Sequence, residues 1–206
     1  MTDVEIRKAQ PDDHAQAAEL ILETLYGFGP YLMGLGDNQR ALSAMQAYFR
    51  YPVNRFSYRF SYIALVDGEI AGLLLILPGK SMPAALTATS LQMFKVYKTK
   101  EIFQFLKRAI ILRDEEDVRR DEMYIAHLAV VAQYRRRGIG QVLLDLAEKC
   151  ARESGLKKLS LMAELDNTPA ISLYQKYGYH ITKKFMHPHQ IPLTGSHGYV
   201  KMIKDL

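Results

Sequence analysis

The segment YRRRGIG, Tyr134 to Gly140, sets Arg135, Arg136 and Arg137 directly before a Gly-Ile-Gly turn. Three successive guanidinium groups repel one another, so the pattern asks for an anion. Ile139, Val142, Leu143, Leu146, Ala147 and Cys150 then keep the i, i+3, i+4, i+7 spacing of one helix face. A strand, a glycine turn and a helix in that order leave the first N–H groups of the helix pointing outward, with the positive end of its dipole behind them. That geometry binds phosphate. Two phosphate loops of this kind do not fit. No G-x-x-x-x-G-K-[ST] occurs, and G-x-G-x-x-G would need glycine where Leu143 stands, with an acidic residue at a strand end about 20 residues on. His187, His189 and His197 lack cysteines or carboxylates at zinc spacing, so they read as loop histidines and no metal is expected.

The elements that must position these residues follow from periodicity. Val4 to Lys8 alternates like a half-buried strand, and Pro11, Asp12 and Asp13 start a helix from Ala15 to Leu25. Tyr26 to Gly36, rich in glycine and aromatics, reads as a loop carrying exposed rings, and a second helix covers Gln39 to Phe49. Asp67-Gly68 joins strands at Ser61 to Val66 and Ile70 to Leu77 as a hairpin. Between Ser81 and Glu122 the apolar residues recur at helical spacing, which predicts a helical excursion. A strand at Met123 to Val131, the arginine turn and its helix come next, with Gly155 as the helix stop. Then follow a strand at Lys158 to Ala163, a short helix from Thr168-Pro169 to Gly178, and strands at Tyr179 to Phe185 and Gly198 to Ile203. No repeat or linker interrupts the 206 residues, so the expectation is one mixed α/β domain.

Composition narrows the class. The chain is 49% hydrophobic and 24% charged, as a soluble globular protein is. Its net charge of +5 suits an anion-handling protein, yet the basic residues are interspersed with Asp114, Glu115, Glu116 and Asp117, so nucleic acid is disfavoured as a partner. The longest apolar run, Gly72 to Leu77, is far short of the roughly 20 residues of a membrane helix, and no export signal is read at the N-terminus. Cys150 is a single thiol on an apolar helix stripe, favoured as buried and inert. These features together suggest a reducing, cytoplasmic setting with no membrane partner.

From Tyr124 to Tyr179 the sequence resembles the GNAT-type N-acetyltransferases. Arg135, Gly138 and Gly140 match the coenzyme A pyrophosphate loop [RQ]-x-x-G-x-[GA]. YIAHLAVV resembles the strand before it, and LMAELDNTPAISLYQKYGY resembles the following strand and helix. The resemblance implies a single domain with a mixed, mostly antiparallel sheet, helices on both faces and splayed central strands, here with a helical insertion between the third and fourth strands. It also implies acetyl-coenzyme A as co-substrate and an amine as acceptor. Backbone N–H groups of Arg135, Arg136, Arg137, Gly138, Ile139, Gly140 and Gln141 would wrap the pyrophosphate, with the guanidinium groups adding charge. The pantetheine arm would pair with Leu128 and Val130, and a nearby N–H could stabilise the oxyanion formed when the amine attacks.

Tyr174 matches the tyrosine that faces the coenzyme sulfur in many relatives. A phenol of pKa about 10 giving its proton to a thiolate of about 8.5 is uphill by roughly 2 kcal/mol, so a strong hydrogen bond is the better description; core filling is the alternative. Asn167 would hold the pantetheine arm, cap the helix, or both. The base is less defined. Met162 stands where some relatives carry a glutamate, a departure that counts against peptide N-terminus acetylases relying on it. Strand alternation places Tyr124, Ala126, Leu128 and Val130 on one face and His127 on the other, so His127 reads as a core histidine. Glu122 and Glu164 remain as candidate bases, directly or through water.

The expected reaction is therefore acetyl transfer to a primary amine of a small molecule or peptide in a ternary complex. Substrate choice would fall to the aromatic loop, the patch YFRYPVNRFSYRFSY and the insertion. Phe94, Phe103 and Phe105 are candidate surfaces for a lid or a homodimer contact. A non-catalytic acyl-coenzyme A sensor, or an acetylase of a protein or RNA-associated substrate, are the alternatives.

Overall fold

The computed structural model describes residues 4–112 and 118–206, so part of the expected insertion, 113–117, lies outside the described residues. Seven strands form one sheet: β1 (Glu5–Lys8), β2 (Ser61–Val66), β3 (Glu69–Pro78), β4 (Glu122–Val130), β5 (Lys158–Glu164), β6 (His180–Met186) and β7 (Gly198–Asp205), in the order β1-β2-β3-β4-β5-β7-β6. All neighbours are antiparallel except β4 and β5. Asp67 and Gly68 take φ of 53° and 81°, the paired positive values that a two-residue hairpin turn needs.

Helices cover both faces. On one, α1 (His14–Thr24) and α2 (Asn38–Arg50) bury Ile21, Met45 and Phe49 against Leu73, Leu75 and Leu77. Two further helices, α3 (Met82–Val96) and α4 (Thr99–Ile111), join this side between β3 and β4, with a break at Tyr97 and Lys98. On the other face, α5 (Ile139–Glu153) and α6 (Thr168–Lys176) pack Leu143, Ala147 and Tyr174 with Leu74, Ile76 and Ile125. The Asp37 carboxylate caps α2 by accepting from the Arg40 N–H at 2.6 Å.

Two expectations change. The aromatic stretch is not an open loop: Gly29–Met33 is a π-helical turn, and of its rings Tyr26 is the exposed one, while Phe28 and Tyr31 are half-buried. Tyr26 itself sits at φ 47°, and a Cβ on Gly27 would lie 1.9 Å from the Thr194 carbonyl oxygen, so this backbone is pressed onto the 191–194 turn.

The second change is in β4. Leu75 pairs with His127 but Ile76 pairs with Ile125, which leaves Ala126 as the extra residue of a β-bulge. Strict alternation fails there. Ile125, Leu128 and Val130 pack with the α5 side, while Ala129 joins the α1 side with Leu73 and Leu75. His127, paired with Leu75, shares that second face.

Glu122, at the start of β4, is fully buried, and Lys201 Nζ of β7 approaches its Oε2 to 3.3 Å. Removing one partner of such a pair strands the other charge, which costs about 3–5 kcal/mol. Lys201→Met is expected to lose that much stability in urea unfolding, and Glu122→Leu added to it is expected to restore most of the loss.

Candidate active site

Among the described residues β4 and β5 are the only parallel pair in the sheet, and their pairing is incomplete. β4 and β5 are in register from Glu122–Lys158 to Ile125–Leu161 and then part, although β4 runs on to Val130 and β5 to Glu164. The other edge of β4 fixes what faces the gap. Val131 N–H donates to the Ala71 carbonyl at 2.9 Å, and Gly72–Val130 and Leu74–Leu128 are the flanking cross-strand pairs. In an antiparallel ladder hydrogen-bonded and non-bonded pairs alternate, so the N–H and C=O of Leu128 and Val130 point away from β3 and into the gap. It is an open strand edge inside the molecule.

A cleft of about 380 Å³ fills the gap. Its walls are β4 from Ile125 to Val130, β5 from Leu161 to Glu164, Asn167 and Tyr174 from the α6 side, and Glu23, Thr24 and Tyr26 from the α1 side. At its head is the arginine turn. Gly138, at φ 87°, is the N-cap of α5 and brings no side-chain cap, so the first N–H groups of this 15-residue helix face outward. Gly138 needs its flexibility for that φ. Gly140 does not: a Cβ there would meet Leu173 at 3.7 Å and Val130 at 4.0 Å, ordinary contacts, so the protein itself has room for a side chain.

The arginines divide. Arg136 and Arg137 are exposed, Arg136 at φ 63° and Arg137 over the Tyr134 ring. Arg135 turns back instead: its Nε donates to the Val130 carbonyl at 2.9 Å and its guanidinium pairs with Glu23 of α1. Its side chain therefore ties the turn to α1 while lining the cleft. Ile139 is a core residue whose contribution to the turn is its backbone, and Gln141 is exposed beside it. Asn167 accepts from the Ala170 N–H at 3.3 Å, which makes it the cap of α6 on the cleft wall.

Of the titratable groups, the structure brings Tyr174 and Glu164 to the cleft and leaves Glu122 away from it, at the paired end of β4 in its ion pair with Lys201. Burial, with a smaller contribution from Tyr26, pushes the Tyr174 phenol up to about 12. Glu164 is buried and accepts from Ser196 Oγ at 2.8 Å. Glu23, which sequence reasoning did not single out, and Tyr26, the first residue of the loop expected to govern substrate choice, face them from the α1 side. The Tyr26 phenol is raised by burial first, then by Glu164, Glu23 and Asp166. The unusual backbone at Tyr26 follows from packing against residues some 170 positions away, which leaves no local signal.

His127 also lines the cleft. Its Nδ1 lies 2.6 Å from Thr24 Oγ1, which donates its proton to the Ile21 carbonyl at 2.7 Å. The hydroxyl must then accept from Nδ1–H, so the lone pair sits on Nε2, buried and without a partner. The ring stacks on Phe56 at 5.8 Å, and burial, reinforced by Arg55, lowers its pKa to about 3.

A partly opened sheet with a phosphate-type turn at the head of the gap defines an acetyltransferase fold. The chain belongs to the acetyltransferase (GNAT) family, whose model matches residues 35–179. It is 41% identical over 64 residues to the N-alpha-acetyltransferase MAK3 of Arabidopsis thaliana, covering 31% of this chain and 34% of that protein. To a mycothiol acetyltransferase of Corynebacterium glutamicum it is 37% identical over 62 residues, covering 30% of this chain and 20% of the relative. The match thus spans about a third or less of these curated relatives. The crystal structure of an N-acetyltransferase from Staphylococcus aureus Mu50 superposes with a TM-score of 0.72 at 22% identity, covering 97% of this chain and 99% of that one. A PaiA N-acetyltransferase from Thermoplasma acidophilum in complex with coenzyme A gives 0.55 at 13% identity, with 99% of each chain covered. At those identities the structures attest the fold.

The buried imidazole has a consequence for stability. Unfolded, His127 takes a proton near pH 6.5; folded, it does not until about pH 3. Below 6.5 the unfolded chain binds more protons, so the full stability present above that pH is lost as pH falls, by about 1.4 kcal/mol per unit. Urea unfolding at pH 7 and pH 5 is expected to show His127→Phe losing about 2 kcal/mol less than the wild type over that interval.

Proposed function

We propose that this protein moves an acetyl group from acetyl-coenzyme A to a primary amine of a small molecule or peptide, by direct attack in a ternary complex. The observation that carries the reading is the unpaired edge of β4 at Leu128 and Val130, with the glycine turn at its head and Tyr174 on its wall. A pantetheine arm has the amide groups to pair with such an edge. The remaining backbone groups of Leu128 and Val130 hold it, while the Val130 carbonyl is already engaged by Arg135. N–H groups from Arg136 to Gly140 hold the pyrophosphate, those of Arg135 and Gln141 being already donated to the Ala132 and Gly138 carbonyls, and the exposed Arg136 and Arg137 supply positive charge. Asn167 orients the arm from the α6 side while capping that helix.

Tyr174 acts as a hydrogen-bond donor to the departing sulfur. With its pKa at about 12, complete transfer to a thiolate of about 8.5 is uphill by about 5 kcal/mol, steeper than for an unburied phenol, so the proton stays shared and mainly on oxygen. An N–H of the open edge donates to the thioester carbonyl as the amine attacks. Glu164, at the end of β5, accepts the proton of the acceptor ammonium directly or through water, and the Ser196 hydroxyl fixes its orientation. Tyr26 and the segment behind it border the acceptor side. Several relatives are named N-alpha-acetyltransferases, which keeps a peptide among the acceptors, and Met162 on the cleft wall distinguishes this site from those that rely on a glutamate at that position.

Steady-state kinetics with butylamine and with a short free-N-terminus peptide test the scheme. Double-reciprocal lines are expected to intersect. Tyr174→Phe is expected to lower kcat by about 10- to 100-fold, with acetyl-coenzyme A affinity unchanged within about twofold. Parallel lines would replace the ternary complex with an acetyl-enzyme, and an unchanged kcat would remove Tyr174 from the chemistry.

A further inference from the structure

The helices between β3 and β4 are firmly held on one side and bare on the other. Arg40 clamps Glu101 at 2.7 Å, Arg108 donates to the Tyr31 carbonyl at 2.6 Å, and Phe105 packs against Tyr97 with centroids 5.4 Å apart. Phe105 is therefore part of the inner contact and not a free surface. The outer side of α4 carries Phe103, Leu106 and Ile110, exposed to 73%, 48% and 70%. Their i, i+3, i+7 spacing makes one stripe along the helix. The last two turns of α3 add Leu91 and Phe94, at 65% and 68%. A phenylalanine presents on the order of 150–250 Å², and the largest apolar patch of a typical monomer is only about 300–600 Å², so rings this bare call for a partner.

Charge selects the partner. Along the two helices, residues 91–111 contain Lys95, Lys98, Lys100, Lys107 and Arg108 against a single carboxylate, Glu101, which Arg40 already neutralises; the carboxylates Asp114, Glu115, Glu116 and Asp117 come after the helix in the sequence. Lys100 and Lys107 are seven residues apart and exposed, so they border the stripe on one side along its length. A second copy packed on this stripe would set lysine borders against one another. An anionic surface would be matched by them. Aromatic and branched side chains on one face with lysines along the border are the arrangement of helices that lie in a lipid interface, and each lysine near an anionic leaflet contributes about 1 kcal/mol. No helix among the described residues is long and apolar enough to cross a membrane, so contact would be from the surface only.

We propose that the outer face of α3 and α4 adsorbs to an anionic lipid surface, with Phe94, Phe103 and Ile110 entering the interface and Lys100 and Lys107 reaching the headgroups. The proposal is independent of the acyl-transfer reading. It departs from the expectation from sequence, which was of no membrane partner, by adding a peripheral contact. The same helix is pinned through Arg108 to Tyr31, in the π-helical turn that follows Tyr26, so adsorption would take place on an element continuous with the acceptor side of the cleft.

Co-sedimentation of the full chain with vesicles of phosphatidylcholine, with and without about one-third phosphatidylserine, tests it. Binding to the anionic vesicles is expected to exceed binding to the neutral ones by at least about tenfold and to fall steeply with added salt. Phe103→Ser with Ile110→Ser, and separately Lys100→Glu with Lys107→Glu, are each expected to remove most of it while leaving the melting temperature within a few degrees, because these side chains are exposed. Equal binding to both vesicle types, or no binding by a folded sample, would overturn the proposal. Sedimentation velocity on the same variants supplies the other contradiction: a dimer that Phe103→Ser dissolves would assign this face to a second copy.

Discussion

The abandonment of pairing between β4 and β5 beyond Ile125 and Leu161 governs the rest of the molecule. A buried backbone N–H or C=O without a partner costs about as much as a lost hydrogen bond, and a fold rarely leaves a strand edge open inside itself. Here the edge faces a cleft wide enough to admit a chain with amide groups of its own. The open edge is thus a ready template for β-strand addition by a ligand. The bulge at Ala126 belongs to the same device, because it turns Leu128 and Val130 toward the α5 side while His127 and Ala129 face α1. Leu128 therefore offers its backbone to the gap and its side chain to the core.

What surrounds the edge is sorted by polarity. The turn before α5 gathers backbone N–H groups and two exposed arginines at one end, whereas carboxylates and tyrosines collect on the α1 and β5 sides. Arg135 joins these regions, since its guanidinium reaches both the Val130 carbonyl and Glu23. Burial then sets protonation. Tyr174 is held as a donor and His127 as a neutral ring, while Glu122 is kept out of the cleft by its pairing with Lys201.

Local signals made much of this readable from the chain. Asp67-Gly68 specified its hairpin, Asp37 and Asn167 their helix caps, and Gly138 the turn before α5, because each acts within a few residues of itself. The features that could not be read are those decided by distant packing. Ala126 carries no mark of the bulge, so alternation grouped it with Leu128 and Val130, whereas it packs on the α1 side. Arg135 finds Glu23 from more than a hundred positions away, and Glu122 finds Lys201 across the sheet. The aromatic stretch after α1 forms a π-helical turn next to the point where Gly27 is pressed onto Thr194. Phe103 and Phe105 have the same residue type two positions apart, and helix rotation alone sends one outward and the other into the core.

On the proposed reading the turn and the open edge are shaped for a coenzyme rather than for the protein's own packing, and Gly140 separates the two. A side chain there fits the protein, so Gly140→Ala is expected to be neutral or to add up to about 1 kcal/mol to stability as a helical glycine replaced by alanine. Calorimetric titration with acetyl-coenzyme A is predicted to give one site in the wild type and affinity at least about tenfold weaker in Gly140→Val, whose branched side chain exceeds the alanine that the loop pattern admits and intrudes where the ligand's phosphates approach the backbone. Equal affinity in the two proteins, or no binding by a folded wild type, would contradict the account.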